Sequence, residues 1–255
     1  MMRALLLDVL IFLRFYSRLP IGDGAHARLD FARMALALPL AGAVIGGAGA
    51  AGLIVAHICH LPALVCALVA VAALTLATGA LHEDGLADVA DGFGGGATRE
   101  SKLAIMRDSR VGTYGALALC FSVLLRAAAL ASLLERSVSL AALALVFAGA
   151  ISRVAGLAPM MGLPPARADG LGATVAAPSR EVWARAWFAA AIFGLAPWLA
   201  GAGVSQIAVA IIAAFAVAAL VAQVAKKQIG GYTGDVLGAA QQLAEIAILA
   251  GLSAA

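Results

Sequence analysis

Read for its alternation of apolar and polar positions, the chain is a succession of apolar stretches joined by short polar connections. Each stretch has roughly the 20 residues that an α-helix needs to cross the hydrocarbon of a bilayer. The pattern predicts seven spans, at residues 35–56, 61–81, 113–134, 138–158, 184–202, 204–225 and 236–253. The N-terminal apolar run, residues 1–13, is interrupted by Asp8. Arg14, Tyr16, Arg18 and Pro20 follow it, where a secretory signal would have small residues and a cleavage site. It reads as a retained helix lying in the membrane interface. No internal repeat of the kind found in transporters is visible, and the expectation is a single all-α, polytopic membrane domain over residues 1–255.

Composition supports the bilayer as solvent. Of 255 residues, 64% are hydrophobic and 12% are charged, about half the charged share of ordinary soluble domains. The three cysteines, Cys59, Cys66 and Cys120, form no paired framework and read as small apolar residues. A net charge of +3 without a basic stripe interleaved with aromatics gives no reason to expect a nucleic-acid partner.

The placing of the positive charges sets an orientation. With the N-terminus in the cytosol, fifteen of the seventeen Lys and Arg residues fall on the inner side, Arg28 among them; Arg136 falls outside and Arg126 within a span. The connections on the outer side are short. Function is therefore expected in the two long inner loops, residues 82–112 and 159–183, and in the helix ends that feed them.

The first long loop opens with His82-Glu83-Asp84-Gly85-Leu86-Ala87-Asp88-Val89-Ala90-Asp91-Gly92-Phe93-Gly94-Gly95-Gly96. If the helix of the second span continues, Asp84, Asp88 and Asp91 share one face within about 60°. Their mutual repulsion calls for a divalent cation, and hard carboxylate oxygens suit Mg²⁺ or Mn²⁺, which bridge phosphate oxygens. Gly85 would let a phosphate approach the backbone, while Gly92 and the run containing Gly94 and Gly95 would end the helix and offer N–H groups to anions. A plain solvated acidic helix end is the bland alternative.

Later in that loop, Arg107 and Arg110 stand three residues apart as a possible diphosphate clamp, with Asp108 a further ligand or a base. Ordinary positive-inside anchoring explains them about as well, and suits Arg99 and Lys102 better. The last inner turn contains Gly230, Gly231, Thr233 and Asp235 ahead of the seventh span, an arrangement suited to anions at a helix N-terminus. Asp235 is equally readable as a helix N-cap. Asp235, Gly238, Gln242 and Glu245 fall within about 80° of that helix, a polar stripe that must face the bundle interior or a wet cavity. Arg126 and Glu245 lie at depths where they could pair, with a snorkelling Arg126 and a protonated Glu245 as the open alternative, and Arg153 is an anchor or a phosphate ligand. His57-Ile58-Cys59-His60 looks like a metal cluster but sits alone in a short outer loop.

Taken together, these motifs resemble the cobalamin synthase family, the adenosylcobinamide-GDP ribazoletransferases. The resemblance rests on residues 12–20 in loose form, HEDGLADVADGF at 82–93, IMRDSRVGTYG at 105–115, Ser152-Arg153, DGLG at 169–172 and GGYTGDVLGA at 230–239. It implies a multi-pass enzyme of the bacterial inner membrane, its active site facing the cytosol, that uses Mg²⁺ to join α-ribazole or its 5′-phosphate to adenosylcobinamide-GDP with release of GMP. Under that implied chemistry Asp84, Asp88 and Asp91 carry the metal. His82, Asp108 and Asp235 are candidates for the base, His82 being favoured. Arg107, Arg110 and Arg153 neutralise the diphosphate, and the turn with Gly94 and Gly95 and that of Gly230, Gly231 and Thr233 complete the substrate site.

Two rivals remain. A phospholipid synthase acting on a nucleotide-activated alcohol also places aspartates on inner helix ends, but here Gly85 is followed by Leu86-Ala87-Asp88 without the arginine of that pattern. A cation or metabolite transporter would need polar residues at matching depths in both halves, whereas most charge here lies toward one face. Oligomerisation is compatible with either and is not encoded in any motif.

Overall fold

The computed structural model describes residues 2–21 and 29–254, so Arg28 lies outside the described residues. Its helices run α1 (Met2–Tyr16), α2 (Phe31–Met34), α3 (Leu38–Ile58), α4 (Ala63–Thr78), α5 (Leu81–Gly95), α6 (Arg99–Ile105) and α7 (Thr113–Arg136). They continue with α8 (Val138–Ala155), α9 (Leu171–Thr174), α10 (Arg180–Ile192), α11 (Leu195–Leu199), α12 (Val204–Ile229) and α13 (Gly234–Ser253). Six uninterrupted or nearly uninterrupted apolar segments are long enough to span a membrane, and the bent pair α4 and α5 raises the number to seven. The chain is a multi-pass membrane bundle, and among the described residues the single β-type pairing is the bridge between Pro165 and Tyr232.

Small residues let the central helices touch. A Cβ on Gly42 of α3 would lie 2.1 Å from the carbonyl oxygen of Gly149 on α8, so only glycine permits this backbone contact. The N-terminal helix is seated on the bundle through Phe12, fully buried and stacked 5.5 Å from Phe31. Asp8, the residue that broke the apolar N-terminal run, pairs with Arg33 at 2.9 Å. Asp8 is thus the tie between α1 and the start of the first span.

The second span does not run straight into the acidic motif. It ends at Thr78, and α5 leaves at 92° to it. Gly79 is left-handed at φ +62°, its N–H bonding to Leu76 at 3.2 Å while that of Ala80 bonds to Thr75 at 2.9 Å, the paired bonds of a Schellman ending. Ala80 is left-handed too, at φ +59°, a conformation costly for a residue with a Cβ. The Arg18 N–H caps Ala77 at 2.7 Å, which pins the corner to the segment after α1. Turning the helix here, instead of extending it, lays the acidic motif against α7 and α13.

Candidate active site

The corner is held from inside by a buried ion network. Arg126 of α7, 1% exposed, donates to Glu83 of α5 at 3.2 Å and to Glu245 of α13 at 3.3 Å. Glu245 also accepts from Arg153 of α8 at 3.0 Å and from Gln241 at 3.0 Å. Two arginines thus face two glutamates. The network satisfies the rule that charges buried at membrane depth must be paired. Of the two readings that the depths of Arg126 and Glu245 left open, the structure shows the pair. Glu83, given no role from the sequence, supplies the second carboxylate.

Above this network lies a cavity of about 280 Å³, lined among others by Phe15, Tyr16, Phe31, His82, Asp84, Arg153, Asp235 and Gln241. Three helices of the bundle, α5, α8 and α13, and the N-terminal α1 thereby contribute to one space. Gly85 makes the approach of α5 to α13 possible: a Cβ there would lie 2.9 Å from the Asp235 carbonyl oxygen. Its smallness admits a neighbouring helix end, where the sequence suggested a phosphate. Asp84 is exposed at the entrance, whereas Arg153, His82 and Gln241 are buried at its inner end.

A second cavity of about 250 Å³ shares Gly234 and Asp235 with the first and adds Arg167, Asp169 and Thr233. Thr233 is the N-cap of α13, its hydroxyl accepting from the Val236 N–H at 3.3 Å and donating to Asp235 at 3.1 Å. Asp235 is therefore the second residue of the helix and not its cap. Arg167, which sequence reasoning left among the anchoring charges, pairs with Asp235 at 3.5 Å.

The carboxylates divide differently from their spacing. Asp91 turns to α7, accepting from the N–H groups of Gly112 at 2.7 Å and Gly115 at 2.8 Å, so it caps that helix from a neighbouring one. Asp88 instead has its pKa pushed up to about 7 by burial and then by the charges of Asp84, Asp235 and Asp91, against a small opposing pull from Arg167. The cluster that Asp88 senses thus includes Asp235. Among the described residues no three His, Cys, Asp or Glu side chains converge on a metal-sized point.

Other expected residues lie elsewhere. Gly94 and Gly95 sit in the last turn of α5, and neither lines either cavity; Gly94 faces the Tyr114 ring, 2.7 Å from its ideal Cβ position. Gly230 ends α12 at φ +70°, and Gly231 packs on the Pro164 carbonyl, 2.5 Å from its ideal Cβ position. Both shape the turn without lining a cavity. Arg107 holds Asp169 at 2.7 Å on the surface beside the second cavity. Arg110 folds back on Asp108, and its hydrogen bonds hold that carboxyl down at about 2, a poor proton acceptor. Arg99, read as an anchor, donates to the Ile229 and Ala166 carbonyls at 2.8 and 2.7 Å and ties the end of α12 to the second long loop.

Comparison with known proteins gives this geometry its family. The model of the cobalamin-5-phosphate synthase family matches residues 8–253. The chain belongs to that family. It is 50% identical to an adenosylcobinamide-GDP ribazoletransferase of Azorhizobium caulinodans, over 97% of this chain and 96% of the relative. Similar relatives of the same description come from Xanthobacter autotrophicus, 47% identical over 96% and 95%, and Rhizobium etli, 43% identical over 94% of each. No solved structure matches. Family membership makes the chain a transferase of cobalamin biosynthesis and sets aside both the phospholipid-synthase and transporter alternatives. The residues around the candidate site that escaped sequence reasoning, Tyr16, Phe31, Glu83, Arg167 and Gln241, line or brace the two cavities through contacts between distant segments. Only Glu83 carried a local signal, being a buried-side carboxylate in a charge-poor chain.

Proposed function

We propose that the chain transfers the adenosylcobinamide-phosphate group from adenosylcobinamide-GDP to α-ribazole or its 5′-phosphate, releasing GMP, at the cytosolic face of a bacterial inner membrane. The observation that carries this reading is the gathering of His82, Asp84, Arg153 and Asp235 around one cavity in a chain whose relatives bear that activity along nearly their whole length. The fifteen basic residues assigned to one side support the orientation.

The donor chemistry of the entrance fits a divalent metal. Burial and the charges of Asp84 and Asp235 raise the pKa of Asp88, and Arg167, 3.5 Å from Asp235, is the cation that opposes them. Mg²⁺ or Mn²⁺ bound to these carboxylates would supply charge stabilisation to the diphosphate. The residues of the chain do the rest. His82 has a buried Nε2 with no partner, and it is the atom suited to take the proton of the attacking ribose hydroxyl. The new bond joins that oxygen to the phosphorus attached to cobinamide, the bridging P–O bond to GMP breaks, and GMP departs with the electron pair. Arg167 and the N-terminus of α13 face the phosphates from the second cavity.

Purified protein in detergent, given both substrates and Mg²⁺, should release GMP and form the corrinoid product in equal amounts, without a sealed compartment. Chelation should stop the reaction and leave the helices folded. Folded protein that yields no GMP with either ribazole form across a range of divalent metals sinks the reading.

A further inference from the structure

We infer that the cavity between α1, α5, α8 and α13 seats the acceptor nucleoside, its flat base against an aromatic wall and its ribose hydroxyls at the buried end. Three buried polar atoms at that end have no partner: His82 Nε2, Arg153 Nε and Gln241 Oε1. A buried donor or acceptor left unpaired is costly, so three of them on residues that line one cavity point to a ligand that completes them. Their chemistry is mixed. Arg153 Nε only donates, Gln241 Oε1 only accepts, and His82 Nε2 does either. A phosphate offers acceptors alone and would leave Gln241 facing an oxygen of like polarity. A pair of ribose hydroxyls, each both donor and acceptor, matches all three.

The rest of the lining is apolar. Phe15, Tyr16 and Phe31 form one wall, and the Tyr16 ring already stacks on the His82 ring at 5.5 Å and 16°. Such a wall suits a benzimidazole ring better than a strongly hydrogen-bonding purine. Size narrows the choice further. At about 280 Å³ the space lies at the lower end of small-molecule sites, enough for one ring system with its sugar and too small for a corrin macrocycle. His82 then lies beside the hydroxyls and not beside the diphosphate, which falls to the neighbouring cavity at Arg167 and Thr233.

This assignment rests on the transferase reading for the identity of the nucleoside. Its test is binding of α-ribazole alone to the full-length protein, with GDP as the control ligand. Tyr16→Ala should weaken α-ribazole at least tenfold, Tyr16→Phe by no more than about twofold to threefold, and both should leave GDP affinity unchanged. Gln241→Leu should weaken the riboside but not the free benzimidazole base. In the wild-type protein, where folding is not in question, a photoreactive benzimidazole riboside should label the peptide containing Phe15 and Tyr16. Labelling confined to residues 164–174, or a Tyr16→Ala protein that loses GDP and keeps α-ribazole, overturns the assignment. A wild-type protein that labels at Tyr16 but releases no GMP leaves the assignment standing and sinks the transferase reading instead.

Discussion

Two groups of charge lie within one helix length of each other and obey opposite rules. In the inner cluster, Arg126, Arg153, Glu83 and Glu245 are linked by three ion pairs at 3.0–3.3 Å, and each of the four is buried. At the entrance, Asp84, Asp88 and Asp235 face one another with Arg167 as their cation, 3.5 Å from Asp235. The inner cluster is balanced in charge, two arginines against two glutamates, and ties α5, α7, α8 and α13 together. The entrance is incomplete, and its stored repulsion is available to a cation and a phosphate. Balance marks the brace and imbalance marks the site.

The most severe way to break that contrast is to unbalance the brace. Arg126→Met should cost about 3–5 kcal/mol of stability in detergent, because two buried carboxylates lose their shared partner. Adding Glu83→Gln should restore part of it, which a double-mutant cycle measures. A loss below about 1 kcal/mol for the single variant would mean that the corner is held by packing alone.

At the entrance the expectation reverses. Asp84→Asn and Asp88→Asn should each lower turnover by about 10²–10³-fold, the scale of losing an electrostatic stabiliser of the transition state, while the melting temperature holds or rises. An equal fall in stability and activity would make these carboxylates structural, like Asp91, whose bonds to Gly112 and Gly115 predict that Asp91→Ala destabilises first.

A smaller effect sharpens the same distinction through pH. Asp88 titrates at about 7 in the fold, well above the ordinary carboxylate value, because burial and its acidic neighbours disfavour its charge. A raised value means that its favourable contribution is whole below the ordinary pKa, near pH 4, and is lost as pH climbs through 7. Without metal, the wild type should therefore lose melting temperature relative to Asp88→Asn between pH 5 and 8, and divalent metal should close the gap. Parallel curves would refute the crowding of charge. The smallest effect belongs to the surface: Asp108→Asn should leave both melting temperature and turnover nearly unchanged, since Arg110 holds that carboxylate outside both cavities. A collapse of turnover there would return Asp108 to the candidate bases.

The spans were legible because solvation by hydrocarbon is demanded of every residue in a segment, so local composition reports it. The acidic helix was legible too, as were the depths of Arg126 and Glu245, since 1.5 Å per residue converts sequence position into depth, but their pairing was decided only by the structure. The division of labour among the aspartates was not. Helical spacing put Asp91 with Asp84 and Asp88, but a carboxylate 21 residues before an unsatisfied helix N-terminus can leave its row to cap it, and Asp91 does.

By itself the sequence determined a multi-pass helical bundle, the polar face of α13, and a family resemblance carried on its acidic and glycine-rich motifs. The tertiary structure alone decided the corner at Gly79 and Ala80, where two left-handed residues turn the acidic helix through 92° against α7 and α13. It alone brought Tyr16 and Phe31 to the same cavity as Gln241, and set Arg167 against Asp235. Hydropathy states how deep a residue lies, but not how its helix is rotated or which neighbour stands beside it. Those follow from close packing at glycines and from pairing of buried charge between segments far apart in the chain.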